Sequence, residues 1–145
     1  MTTTHVLGAC FLATLLTIGQ GPDGVRNFKV AVPAATGGQP LLLLSKVTTP
    51  ANRSAILRAY VLIGPADSLY LGSTSIVAIA PMATGITKFE RLTIALVPRA
   101  AQWLTAQSPS DTLTIVVVPV TGQRGVIRDL RWFAAEARLI RAHEK

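Results

Sequence analysis

Turn signals recur along this chain at short intervals, and they limit every apolar run between them to a few residues. Gly19-Gln20-Gly21-Pro22-Asp23-Gly24 is a loop by composition, as are Pro33 to Pro40, Thr48 to Asn52, and Gly64 to Ser68. Pro81 to Gly85, Ser108 to Asp111 and Thr121 to Gly125 continue the series. Glycine supplies left-handed backbone at such places, and proline removes a donor that a helix or sheet would need. A chain cut this often cannot build long helices. It can build many short strands, the pattern of an all-β sandwich or barrel.

The runs between the loops fit that reading. Phe28-Lys29-Val30-Ala31-Val32 alternates like a half-buried strand. Leu41 to Leu44 with Val47 suits a strand buried on both faces. Ile56 to Ile63, Leu69 to Ala80, Phe89 to Val97 and Leu113 to Val118 supply four more. One helix is expected: Pro98 suits a first helical turn, Arg99 to Gln107 contains no glycine, and Ser108-Pro109 ends it. Residues 130–142 are ambiguous. Leu130, Phe133, Ala137 and Ile140 fall at helical spacing, whereas Phe133, Ala135, Ala137 and Leu139 alternate. Propensity alone leans slightly towards helix here. The expectation is an antiparallel β-sandwich with one short helix.

Half of the 145 residues are hydrophobic and 14% are charged, against roughly 25% charged in a typical soluble domain. So apolar a chain has more than enough to bury, which excludes disorder. The length suits one domain over residues 1–145. The longest apolar stretch, Val6 to Ile18, is 13 residues, short of the roughly 20 that a membrane-spanning helix needs. No membrane span is expected. Residues 1–20 read either as a buried first segment or as a secretory signal. No Lys or Arg precedes Arg26, and only six residues precede the lipoprotein-like Leu7-Gly8-Ala9-Cys10, so the balance favours the buried segment.

Catalytic devices are hard to assemble from this inventory. The one cysteine, Cys10, sits among Ala9, Phe11 and Leu12, as a buried inert thiol would. The two histidines, His5 and His143, lie near the ends. A metal centre needs several matched ligands, and a nucleophile needs a base held firmly in the fold. The seven carboxylates form no obvious acid–base pair. No glycine loop leads into a helix as a phosphate cradle would require. The chain therefore reads as non-catalytic, with no cofactor and no metal. Asn52-Arg53-Ser54 fits the N-glycosylation pattern, though a plain turn explains it as well.

Charge offers a different lead. Lys and Arg number 14 against seven Asp and Glu, a net of +7. Residues 121–145 hold six basic and three acidic residues, a net of +3. Arg128, Arg131 and Arg138 in this strip are candidates for contact with an acidic partner surface or with phosphate. A nucleic-acid-binding β domain is the alternative reading. It is the weaker one, since Trp132 and Phe133 among the arginines suit a core equally well.

The order of segments also resembles a known family. From Leu57-Arg58-Ala59-Tyr60-Val61-Leu62-Ile63 onward, the chain is similar to the β-sandwich domain that follows the dicopper domain in plant polyphenol oxidases and some bacterial tyrosinases. Leu41 to Val47 matches the preceding strand, and Tyr70-Leu71-Gly72-Ser73 follows the next loop. Phe89 to Val97, the helix from Pro98 and the strand ending at Pro119 complete the order. The match spans roughly residues 40–140 and lies in order and spacing more than in identity. The resemblance implies a last strand over Phe133 to Ile140. It also implies a non-catalytic role, because the family's coppers are held by histidines of the other domain. In that family the domain can cover the copper site with an inserted aromatic side chain. Tyr60 or Tyr70 would fill that role here, Tyr70 slightly ahead because it flanks a loop. Without the resemblance, each is a core or edge tyrosine. The functional expectation is an accessory or subunit protein that binds a larger protein, such as an oxidase subunit, or a second copy of itself. Nothing assigns a compartment.

Overall fold

The computed structural model describes residues 24–34, 37–78, 84–122 and 125–142. Val6 to Ile18, His5, Cys10, Arg124, His143 and Lys145 lie outside the described residues, with the expectations attached to them. Among the described residues seven strands and one helix follow in order: β1 Arg26–Ala31, β2 Gln39–Pro50, β3 Ala55–Gly64, β4 Asp67–Ile76, β5 Ile86–Ala95, α1 Pro98–Thr105, β6 Thr112–Val120 and β7 Phe133–Ala142. A first sheet has the order β1-β6-β3-β4, and a second has β5-β2-β7. Every pairing is antiparallel. The fold is an all-β sandwich-like arrangement with one short helix.

The β3–β4 hairpin joins neighbours within a sheet, while each other connection crosses between the two sheets. Crossing connections need loops at both ends of the sandwich, which is why turn residues are so frequent. The core forms where the inner faces meet. Leu42, Leu44, Val47 and Ile94 from the second sheet face Leu57, Ala59, Val61, Ile115 and Val117 from the first. Each large aliphatic side chain taken from water into this layer stabilises the fold by about 1.5–3 kcal/mol. Leu43 is buried as well, so the Leu41–Leu44 run is covered on both faces as its composition suggests.

Helix α1 starts at Pro98, which has no N–H to leave unsatisfied. It seals one end of the sandwich with Ala100 and Leu104. The chain entering it is fixed by a bond from the Val97 N–H to the Leu71 carbonyl, 2.8 Å. At the same corner Gly72 leaves no room for a side chain, because a Cβ there would collide with the Ala95 carbonyl oxygen. At another corner Trp132, fully buried, donates from Nε1 to the Gly24 carbonyl. The Arg26 guanidinium stands over the Trp132 ring at 5.9 Å.

Several sequence expectations need correction. The ambiguity over residues 130–142 resolves to a strand over Phe133–Ala142, the outcome expected from the resemblance and against the slight lean of propensity to helix. The pairing of β7 along the whole of β2 offers tertiary contacts that outweigh a small propensity difference. The loop expected at Thr48 to Asn52 moves to residues 51–54, since Thr48, Thr49 and Pro50 pair with Lys88, Thr87 and Ile86. The loop at Gly64 to Ser68 shrinks to Pro65-Ala66. The run to Ala80 ends as a strand at Ile76, and Val77 beyond it is 73% exposed.

Candidate functional site

One irregularity in the first sheet creates its most distinctive surface. Ala59 pairs with Gly72 and Tyr60 with Tyr70, so Leu71 is an extra residue in β4. Such a bulge shifts the in–out alternation by one place. Leu71 turns into the core at 2% exposure, and Tyr70 emerges on the outer face at 37%. The two tyrosines then stand side by side, with ring centroids 5.6 Å apart and planes tilted by 56°. That lies within the roughly 4.5–7 Å range of favourable aromatic pairs.

The tyrosines stand beside apolar ground. Tyr60 and Leu62 from β3 and Val116 and Val118 from β6 line a groove of about 160 Å³, closed at the hairpin by Ala66, Asp67 and Ser68. In the adjoining strand Asn27 pairs with Val116. Asn27 is buried, and its amide Nδ2 finds no acceptor among the described residues. A buried donor left without an acceptor costs about 1–3 kcal/mol.

The candidate arginines are not gathered around this face. Arg128 and Arg131 are exposed in the β6–β7 connection, and Arg138 is exposed on β7 of the second sheet. Arg138 Nε is paired with Glu136 at 2.9 Å. Arg141, another member of the basic strip, donates to the carbonyls of Ala34 and Gly38, and so fastens the β1–β2 connection to β7. Asp129 accepts two bonds from Arg53, at 3.0 and 3.2 Å. These bonds hold the Asp129 carboxyl below, and the Arg53 guanidinium above, their ordinary values. Half-burial lowers the Arg26 guanidinium, by desolvation.

A second surface was not foreseen. In all three strands of the second sheet the alternation slips once, in the same row. Ser45 and Lys46 are consecutive outward residues in β2, as are Glu90 and Arg91 in β5 and Ala135 and Glu136 in β7. Lys46 marks the slip with a left-handed backbone, φ 50°. Beyond it Val47, Thr49 and Ala134 turn inward, while Phe133 turns outward at 52% exposure. Of the two aromatics among the arginines, which suit a core or a basic surface equally well by sequence, Trp132 is buried and Phe133 is exposed. The sequence signal that could have found the slip is the adjacent polar pairs Ser45-Lys46 and Glu90-Arg91, each inside a strand.

A third groove, of about 290 Å³, lies at the far end of the first sheet between Ser54, Ser75, Val77 and Thr121. Among the described residues, no ionisable side chain lines it. Among the described residues, no group of three or more His, Cys, Asp or Glu could hold a metal ion. No described helix is long and apolar enough to cross a membrane. The sequence matches no protein-family model, and comparison with curated proteins finds no significant match.

Proposed function

We propose that this chain is a non-catalytic accessory or subunit protein that docks on a larger protein through the tyrosine face of its first sheet. The observation that carries this reading is the Tyr60–Tyr70 pair beside the apolar groove. Tyrosines with apolar bodies and polar tips are the side chains that anchor protein interfaces. The resemblance to the domain that accompanies dicopper oxidases makes such an oxidase the proposed partner class, with Tyr70, the more exposed of the two, as the inserted side chain.

The nucleic-acid alternative has less to support it. Of the strip's arginines, Arg138 is neutralised by Glu136 and Arg141 is spent on backbone carbonyls. Native purification from the source organism tests the proposal, with Tyr70→Ala as the matched variant. The expected result is a complex with a larger oxidase that the variant loses. A bare monomer from both preparations contradicts it. Salt-sensitive binding of a labelled single strand or duplex would instead favour the alternative.

A further inference from the structure

The groove at the slip in the second sheet has the makings of a ligand site. It holds about 340 Å³ and is lined by Lys46, Thr48, Lys88, Glu90, Phe133 and Ala135, with backbone beneath. Small-molecule sites start at about 300 Å³. Thr48 pairs with Lys88 on one side and Phe133 on the other, so these three form one row across the sheet. Lys46 stands in the adjacent row, and its left-handed backbone is a conformation that side-chain-bearing residues seldom adopt. Backbone outliers of this kind concentrate at functional sites. Among the described residues neither Lys46 nor Lys88 forms an ion pair, although Glu90 lines the same groove.

Two ammonium groups therefore carry donors without acceptors among the described residues, next to an exposed aromatic ring on a floor of small side chains. We infer that this groove binds a small aromatic carboxylate, its anionic group between Lys46 and Lys88 and its ring against Phe133. Glu90 would exclude ligands carrying a second negative charge on its side. A neutral aromatic molecule would forgo the lysines, and a simple carboxylate would forgo the ring. The site belongs to the sheet opposite the tyrosine face and does not depend on the proposed protein partner.

Titration of the full chain with sodium benzoate, followed by amide NMR, tests this directly. Acetate and benzyl alcohol serve as the two half-ligands. Benzoate is expected to shift the amides of Thr48, Glu90, Phe133 and Ala135, with both half-ligands binding several-fold more weakly. Lys46→Gly is a clean variant, since glycine accepts the φ of this position without strain. Lys46→Gly and Lys88→Gln should each weaken benzoate about three- to fivefold, the scale of one exposed ion pair. Phe133→Ala should weaken benzoate while leaving acetate unchanged. The inference is overturned if benzoate causes no shifts, if either half-ligand binds as tightly, or if the shifts map to Tyr60 and Tyr70. It is equally overturned if the variants bind benzoate like the wild type.

Discussion

Both sheets depart from strict alternation, and their main departures run in opposite directions. In the first, β4 gains an inward residue, Leu71, while β3 keeps its phase as far as Leu62 and gains an extra residue, Ile63, next to the hairpin. In the second, all three strands gain an outward residue in one row, around Lys46. The first irregularity pushes an apolar side chain into the core and brings a tyrosine out beside another. The second draws small residues such as Ala134 inward and expels Lys46, Lys88 and Phe133. Regular alternation builds the core, but these two departures decide what each outer face presents. A local bulge re-aims one side chain, while a slip shared by three strands re-aims a whole end of the sheet.

The comparison can be tested by substitution, beginning where the effect is largest. Leu71→Ala should cost about 2–4 kcal/mol, because the bulge residue is a full member of the core. Chemical denaturation measures it, and a cost near zero would place Leu71 outside. Next comes a matched pair in β7. Ala134→Leu overfills the core and should cost about 1–3 kcal/mol. Ala135→Leu, one residue on, should stay within about 0.5 kcal/mol. Equal costs would break the slip. Lys46→Gly should leave stability unchanged or raise it by up to about 1 kcal/mol, since it relieves a left-handed backbone. Thermal melts compare it with wild type, and a clear loss would mean that the lysine side chain supports the sheet. The smallest effect is expected at the exposed Arg53–Asp129 pair. Asp129 has a lowered pKa, so its contribution is complete above the unfolded carboxylate range of about 4 and fades as pH falls through the lowered folded value. Asp129→Asn should therefore lower the melting temperature slightly at neutral pH and converge with the wild type as pH falls through the lowered value, which melts across the acid range would show.

Much of the architecture was legible because it rests on punctuation. Glycine and proline clusters placed the loops, and Pro98 with Ser108-Pro109 bracketed the helix within two residues of its ends. Strand β7 was not decided by its own residues. Small alanines at 134, 135 and 137 carry little periodic signal, and pairing along β2 supplies what propensity lacks. Tyr60 and Tyr70 were singled out one by one, yet their meeting depends on the bulge at Leu71. An apolar residue between Tyr70 and Gly72 looks the same in the sequence whether it points in or out. The groove at Lys46 was missed for a related reason. Its two polar doublets, Ser45-Lys46 and Glu90-Arg91, lie far apart in the sequence, and only the pairing of β2 with β5 puts them in one row. The basic strip was visible as a run of charge, but partners such as Glu136 and the Gly38 carbonyl become evident only once the strands are folded together.

Cysteine accessibility along β7 probes the shared slip most directly. In a Cys10→Ser background, Ala134→Cys, Ala135→Cys and Glu136→Cys would each be labelled with a thiol reagent under native conditions. The slip predicts rapid labelling of A135C and E136C, two neighbours in sequence, with A134C protected until the chain unfolds. Equal rapid labelling of A134C and E136C, with A135C protected, would restore strict alternation and contradict the account of how this sheet chooses its outer face.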